Sequence, residues 1–313
     1  MKSITIGIPT VNGPNRINNC LESICKWNDI PSIANSHSTL KHDYKVDIMI
    51  LDDGSNRAGV ESMVWLSKFY NIPVLIHKEN MGISKSWNDL ANQGSSDIIV
   101  LLNDDILVSE NWLTSMCYFM ENNDNAGGVG WNFYFITEMD IPAILEADKP
   151  LMIDRDPFSK ALRNEIMTID EAIEQELFQF AGQPGKVMCA VGSCFSLRRE
   201  VFELIDGGFC EEMKSFSEES LMFSQLSALG YPSYMIPEFP LLHEWSKTFQ
   251  TNPHLEAEKR MIESRKIYCE KFDVPEEYAD NPFEWTDPLI MEKLTPTLIK
   301  WIDRDFNEKE AII

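Results

Sequence analysis

Two adjacent carboxylates, Asp104 and Asp105, follow the apolar residues 98–102 and are separated from that apolar run by Asn103 alone. A short continuous apolar run is typical of a strand that is buried on both faces, so the carboxylates are expected at the carboxyl end of that strand. Ligands of open α/β sheets bind at this end, and carboxylate oxygens together with substrate phosphates suit Mg²⁺ or Mn²⁺. The same residues are also typical of a polar turn, so this pair alone leaves both interpretations open.

Three further apolar segments end in polar side chains. They are residues 4–8 before Thr10 and Asn12, residues 46–51 before Asp52 and Asp53, and residues 234–236 before His243. Because the carboxyl ends of parallel strands share one edge of a sheet, these side chains are expected to converge although they are far apart in the chain. One such ending is ordinary, whereas four of them indicate a site.

Helical patterns alternate with these strands. Ile17, Leu21 and Ile24 recur at helical spacing, and Ser109 is expected to cap a helix after the central strand. Strands that alternate with helices of this length predict a parallel α/β sheet. The aromatic residues within 131–135 are expected to follow a strand. They could offer a platform on which a sugar stacks, although most of them are expected in the core.

Composition limits the class of protein. A chain of 313 residues, 44% hydrophobic and 25% charged, allows one large globular domain or two ordinary ones. The net charge of 27 − 50 = −23 argues against binding to a nucleic-acid backbone. Seven cysteines without a C-x-x-C pair indicate reduced thiols. No apolar run approaches the roughly 18 residues of a membrane span, and the strand-like start predicts no signal peptide. We therefore expect a cytoplasmic protein.

The order and spacing of these motifs together resemble family 2-type inverting glycosyltransferases of the GT-A fold. No single motif is specific. The resemblance implies an α/β protein in which a Rossmann-like nucleotide-binding half is fused to an acceptor-binding half around one mostly parallel sheet. It covers about residues 3–250 and rests on residues 8–12, 51–55, Asn80-x-Gly82 with Asn88, 103–105, 192–199, 207–209, Glu218-Glu219 with Gly230-Tyr231, and His243.

The resemblance also suggests how the chain is divided. Residues 136–180 carry eleven acidic and four basic residues, and Thr168 and Glu171 match a capping box there. That charge balance is more typical of a solvated face than of a binding site. The expected segments are the nucleotide-sugar-binding half (1–135), an acidic insertion or lid (136–180), the acceptor-binding half (181–250) and a helical C-terminal extension (251–313).

Several residues match donor-binding positions of the family. Arg16 and Lys85 are candidates for contacts with the diphosphate, and both are also ordinary for solvated helix residues. Asp52 or Asp53 matches the acid that accepts a hydrogen bond from the nucleotide base. The remaining matches are the first nucleotide-binding loop with Pro9, Thr10 and Asn12, the close turn at Asn80 and Gly82, and Asn103 with Asp104 near the ribose or a metal-bound water.

A divalent metal is the implied cofactor. Residues 103–105 occupy the Asp-x-Asp position of the family, with Asn103 in place of the first acid. This match implies Asp105 as the direct ligand of Mn²⁺ or Mg²⁺. His243 matches the late histidine that supplies a second protein ligand, although a single histidine after a strand is also ordinary in a purely structural role.

The acceptor side is represented by an acid pair. Glu218 and Glu219 match the start of the acceptor-side helix, and Glu219 matches the general base that takes the proton of the acceptor hydroxyl. Acids at a helix N-terminus are also favoured by the helix dipole alone. The family often has Asp where this chain has Leu221, which leaves open which carboxylate meets the acceptor.

These matches imply a metal-dependent sugar transfer by a single in-line displacement. The donor is a nucleoside-diphosphate sugar, with a UDP-sugar favoured, and the acceptor is a hydroxyl of a glycan, a protein or another compound. A nucleic acid is disfavoured by the negative charge and stays open. One alternative is a non-catalytic nucleotide-sugar-binding protein. A sugar-1-phosphate nucleotidyltransferase is less favoured, because residues 10–15 contain one glycine and no lysine for a triphosphate.

Overall fold

The structure is a computed structural model that describes residues 2–27, 38–39, 44–153, 166–168, 171, 185–187, 190, 192–244 and 247–272. Its strands are β1 (Ser3–Thr10), β2 (Ser38–Thr39), β3 (Lys45–Asp52), β4 (Val74–Ile76), β5 (Ile98–Leu102), β6 (Ile106–Leu107), β7 (Val129–Phe135), β8 (Leu151–Ile153), β9 (Ile166–Thr168), β10 (Gly185–Val187), β11 (Cys194–Arg198) and β12 (Ser233–His243). Its helices are α1 (Pro14–Trp27), α2 (Arg57–Tyr70), α3 (Ile83–Asn92), α4 (Trp112–Glu121), α5 (Ile141–Glu146), α6 (Arg199–Phe202), α7 (Glu218–Ala228), α8 (Lys247–Thr251) and α9 (Ala257–Phe272), with a 3₁₀ turn at Pro253–Leu255.

The main sheet has the strand order β10-β12-β7-β11-β5-β1-β3-β2, with β4 beside β3 and β6 beside β12. β1 pairs in parallel with both β3 and β5, and β12 pairs in parallel with β7. Because β11 is antiparallel to both β5 and β7, strands β1, β3, β4, β5, β7 and β12 all run in the same direction. The expected mostly parallel sheet is therefore confirmed, and the ends of β1, β3, β5 and β12 share one edge.

The position of β5 between two layers of helices explains its apolar sequence. Ile98, Val100 and Leu102 point into the core that α1, α2 and α4 cover, whereas Ile99 and Leu101 point into the core under α3 and α7. Burial of each such side chain contributes roughly 1.5–3 kcal/mol. A strand with helices on both faces needs apolar residues at every position, and its first charged residues can appear only where it ends.

Three expectations about local structure are wrong. The strand predicted over 234–236 extends to His243, so that histidine is the last residue of β12 rather than a residue after a strand. The aromatic residues within 131–135 belong to β7 itself. Ser109 does not cap a helix, because α4 begins at Trp112 and its N-cap is Asn111 with φ 61°.

Part of the predicted acidic insertion lies outside the described residues. In the part that is described, β8 and β9 pair in antiparallel orientation. Thr168 and Glu171 exchange the reciprocal hydrogen bonds of the predicted capping box, at 2.8–3.2 Å, and most of the helix predicted to follow falls outside that part. Across the described helices, none has the length and apolar character needed to cross a membrane.

Candidate active site

A cavity of about 290 Å³ opens at the shared carboxyl edge of the sheet. Four residues predicted for the site do not line this cavity: Asn12, Arg16, Asp52 and Lys85. The residues predicted for the site that do line it are Pro9, Thr10, Asp53, Asn80, Gly82, Asn103, Asp104, Asp105, Glu218, Glu219 and His243. The topology therefore brings together groups that lie more than 200 residues apart in the sequence.

Asp53 holds the loop that follows β4. Its carboxylate accepts hydrogen bonds from the backbone N–H groups of Met81 and Gly82, at 2.8 and 3.0 Å, and from the side-chain amide of Asn80, at 2.8 Å. The Nδ1 atom of His77 lies 2.8 Å from the same carboxylate. The predicted close turn is thus built around Asp53, and this acid lines the cavity while it fixes the turn.

The Asp52 side chain points away from that of Asp53, as expected for successive residues at the end of a strand. It is fully buried; one carboxylate oxygen accepts a hydrogen bond from the N–H of Ser55 at 2.8 Å, and the other has no partner among the described residues. Burial raises the pKa of Asp52 above its ordinary value. Of the two acids between which the sequence analysis left the choice open, only Asp53 faces the cavity.

Arg16 and Asp104 form a buried ion pair at the floor of the cavity, which Asp104 lines and Arg16 does not. The guanidinium donates from Nε at 3.2 Å and from Nη2 at 3.0 Å, and the Thr10 hydroxyl donates to the same carboxylate at 2.5 Å. Burial raises the pKa of Asp104, and the Arg16 charge opposes that rise. Arg16 therefore lies behind Asp104 and supports it, and the predicted phosphate contact of Arg16 stays a prediction.

Asn12 and Lys85 also lie off the cavity wall. The Asn12 side chain accepts a hydrogen bond from the N–H of Asn56 at 2.9 Å and donates one to Asn252 at 2.8 Å. Lys85 lies on α3, where its ammonium group donates to Asp89 at 2.6 Å. Asn12 thus joins the loop after β1 to two other loops, and Lys85 is engaged on the helix surface.

Asp105 and His243 meet where β5 and β12 end. The Nε2 atom of His243 lies 3.3 Å from Oδ1 of Asp105, and the imidazole is buried beside the rings of Phe133 and Phe135. Oδ1 of Asp105 and Nδ1 of His243 are buried without a hydrogen-bond partner among the described residues. The imidazole nitrogen that faces the unsatisfied carboxylate oxygen is Nε2, and an oxygen and a nitrogen placed together in this way fit a divalent metal such as Mn²⁺.

The part of the chain that the structure describes offers these two groups at this point. Among the described residues, no cluster of three or more His, Cys, Asp or Glu side chains is arranged to hold a metal. Sites for Mg²⁺ are commonly built from one or two carboxylates plus water and substrate phosphates. The pair is therefore compatible with a metal that binds together with a phosphate-bearing ligand.

Glu218 and Glu219 begin α7 and line the same cavity. Glu218 is buried, one of its oxygens has no partner among the described residues, and burial raises its pKa well above the ordinary value. Burial also raises the pKa of the partly exposed Glu219, but the backbone N–H of Gly192 donates to it and opposes the rise. Leu221, where the family often has Asp, is buried in the core. The two glutamates therefore occupy distinct environments.

Several wall residues were missed by the sequence analysis. Phe216 and Phe249 stack with their ring centroids 5.2 Å apart, and both line the cavity. Arg260, on α9, also lines it and donates a hydrogen bond to Asn80 at 2.9 Å. No local pattern distinguishes Phe249 or Arg260, since α8 is a short polar helix and an arginine is ordinary in the mixed sequence of α9. Both belong to the part of the chain that follows β12.

The chain has a largely parallel sheet with an acidic cavity at its carboxyl edge. This architecture is that of the GT-A class of glycosyltransferase folds. Solved structures support this class. A mannosyltransferase from Pyrobaculum calidifontis, in complex with GDP-Man and Mn²⁺, matches 96% of this chain and 74% of its own, with a TM-score of 0.56 and 14% identity. GalNAc-T7, with UDP, GalNAc and Mn²⁺, matches 78% of this chain with a TM-score of 0.55 and 14% identity. TarS from S. aureus matches 92% of it with a TM-score of 0.54 and 14% identity.

The sequence matches the family model described as glycosyl transferase family 2 over residues 5–205. The chain therefore belongs to glycosyl transferase family 2. It spans 44% of the length of the GalNAc-T7 and TarS chains that it matches. No curated protein matches the sequence.

Proposed function

We propose that the protein transfers a sugar from a nucleoside-diphosphate sugar to an acceptor hydroxyl with inversion at the anomeric carbon. The observation that carries the proposal is that Asp105 and His243 line the same cavity as Glu218 and Glu219. The family supports glycosyl transfer. The complexes of related folds with UDP, with GDP-Man and with Mn²⁺ support a nucleotide-sugar donor and a divalent metal.

Asp105 and His243 are the residues that would hold Mn²⁺ or Mg²⁺. When bound, such an ion stabilises the negative charge of the nucleoside diphosphate as it leaves. Asp104 and Thr10 then fix the floor of the donor site, because the buried Arg16 ion pair prevents the Asp104 carboxylate from rotating. Asp53 and Asn80 fix the adjacent turn, and we propose a UDP-sugar as the donor that lies against it.

Glu219 is the proposed general base, and its neighbour Glu218 stays protonated. Two adjacent carboxylates in a buried site do not readily ionise together. The more deeply buried Glu218 keeps its proton, whereas Glu219 is partly exposed and receives the N–H of Gly192. Glu219 then takes the proton of the acceptor hydroxyl as that oxygen attacks the anomeric carbon. Because no covalent enzyme intermediate forms, the configuration inverts.

Release of nucleoside diphosphate from a panel of donor sugars tests this proposal without knowledge of the acceptor. Water can replace the acceptor hydroxyl, so slow donor hydrolysis with Mn²⁺ is expected from the wild-type protein. Glu219→Gln should lose this activity, whereas the matched variant Glu218→Gln should keep most of it. NMR of the first sugar released should show the anomer opposite to that of the donor. A released sugar that retains the donor configuration would contradict the mechanism.

A further inference from the structure

The cavity is strongly acidic for a site that binds a diphosphate. The carboxylates that line it are Asp53, Asp104, Asp105, Glu218 and Glu219. Arg16 already pairs with Asp104, and Glu218 is proposed to keep its proton, which leaves Asp53, Asp105 and Glu219 as further carboxylates. A nucleoside diphosphate adds negative charge that a single divalent ion does not balance against these groups. Among the described residues that line the cavity, Arg260 is the only lysine or arginine.

The two cations expected at the phosphates are engaged elsewhere. Arg16 donates to Asp104, to the carbonyl of Val11 and to Thr251 at 3.0–3.2 Å. Lys85 lies 2.6 Å from Asp89 and 3.6 Å from Glu211. Neither side chain lines the cavity. Of the described residues that line the cavity, Arg260 is therefore the cation that is available to contact the diphosphate.

Helix α9 holds Arg260 in place through one face. Arg260, Ser264 and Tyr268 follow at intervals of four residues and therefore lie on the same side of the helix. The Ser264 hydroxyl donates to the carbonyl of Ser215 at 2.6 Å, and the Tyr268 hydroxyl lies 3.2 Å from that of Ser224. These contacts anchor α9 to the segment that carries the acid pair, while Arg260 reaches the turn on the donor side.

The Arg260 guanidinium has more N–H donors than its hydrogen bond to Asn80 uses. Its Nη2 atom donates to Oδ1 of Asn80 at 2.9 Å, which fixes the plane of the group, and a guanidinium has five N–H donors in all. Asp53 is close enough to Arg260 to oppose the lowering of the Arg260 pKa that burial causes. Guanidinium groups match phosphate oxygens in geometry as well as in charge.

We propose that Arg260 binds the diphosphate of the nucleotide donor, and that the segment after β12 thereby completes the donor site. This inference rests on the proposed function. It goes beyond the family match, which ends at residue 205. Helix α9, in the predicted C-terminal extension, supplies the lysine or arginine side chain that the rest of the described cavity wall lacks.

Calorimetric titration of UDP and of uridine in the presence of Mn²⁺ tests the inference. Arg260→Met removes one charged hydrogen-bond donor group, so UDP should bind roughly 10- to 100-fold more weakly, whereas uridine should bind as before. Arg260→Lys keeps the charge and should recover part of the UDP affinity. Lys259→Met is the matched control, because Lys259 is 61% exposed on the same helix, and it should bind UDP like the wild type.

The possible failures are distinguishable. Unchanged UDP affinity in Arg260→Met, or equal losses for UDP and uridine, would overturn the inference while nucleotide binding by the wild type upholds the donor site. If the wild-type protein binds none of UDP, GDP, dTDP and CDP, the proposed function is overturned, and the inference with it. Circular dichroism confirms the fold of each variant. If Arg260→Met does not fold, the comparison of Arg260→Lys with the wild type carries the test.

Discussion

Removal of the Arg16 side chain should destabilise the protein far more than removal of an exposed arginine. The Arg16 guanidinium makes two hydrogen bonds to the buried Asp104, at 3.0 and 3.2 Å, and one to the carbonyl of Val11, at 3.1 Å. In Arg16→Met the methionine fills part of the space, but Asp104 keeps only the Thr10 hydroxyl as a hydrogen-bond partner from this network. An unpaired charge then remains in the interior.

Loss of one partner of a buried ion pair costs about 3–5 kcal/mol. We expect the lower end, about 3 kcal/mol at pH 7.5, because burial already raises the pKa of Asp104 and the carboxyl can accept a proton. Without Arg16 the folded-state pKa of Asp104 rises further above its unfolded value. The penalty is therefore greatest at high pH and shrinks as the pH falls, because protonation of the carboxyl removes the unpaired charge.

Urea denaturation at pH 5 and pH 7.5, followed by tryptophan fluorescence and circular dichroism, measures this loss. Arg57→Met is the matched control, because its ion pair with Glu61 is exposed on α2, with side-chain exposures of 92% and 65%, and such pairs contribute little. A loss in Arg16→Met no larger than that in Arg57→Met would refute the reasoning. So would a loss that is larger at pH 5 than at pH 7.5.

Two further changes probe the acid pair and the donor turn. Since burial raises the folded-state pKa of Glu218 above its ordinary value of 4.5, folding retains a proton that the unfolded chain releases, and stability falls as the pH rises above that value. Glu218→Gln should flatten this dependence and be more stable than the wild type at pH 8 in urea denaturation; an unchanged slope would contradict the buried, protonated carboxyl. Gly82→Ala should lower the free energy of unfolding by about 1–3 kcal/mol or more. The φ of 95° at Gly82 favours glycine, and a Cβ there would lie 2.7 Å from the carbonyl oxygen of Lys214. Gly230→Ala, with φ of 91° and open space around the Cβ, should cost less; equal losses in melting experiments would exclude the contact with Lys214 as a cause.

The central sheet and the edge at which the site lies were predictable from the sequence. Strand β5 needs apolar residues at every position because helices cover both its faces. The carboxylates after it can lie only where that burial ends. A general rule on the carboxyl ends of parallel strands then places Asp105 near His243, which lies 3.3 Å away although the two are far apart in the chain.

The partners of long side chains were not predictable. Arg16 and Lys85 each reach several ångströms from the backbone, so their nearest acids depend on how helices pack and not on local spacing. Asp104 and Asp89 are those acids. No sequence pattern indicated Arg260, because its position at the cavity depends on the docking of α9 through Ser264 and not on its neighbours in sequence.

The length of β12 was missed for a physical reason. Pro237 and Pro240 lie in its middle, and proline cannot donate to a strand ladder. The structure accommodates them at an irregularity, where the pairing with β7 shifts register between Ile236 and Leu241. Pairing then resumes and carries the strand on to His243. A sequence pattern without knowledge of the neighbouring strand ends the prediction at the first proline.

The most direct test of the account is metal-dependent nucleotide binding at Asp105. Urea or thermal denaturation of the wild type with UDP, GDP, dTDP or CDP, with and without Mn²⁺, reports binding as added stability, about 2.7 kcal/mol at a ligand concentration of 100 times Kd. We predict stabilisation by one nucleotide that requires Mn²⁺ and is lost in Asp105→Asn, while the unliganded variant unfolds like the unliganded wild type. Stabilisation of equal size without the metal, or in Asp105→Asn, would contradict the assignment of Asp105 and His243 as the metal site.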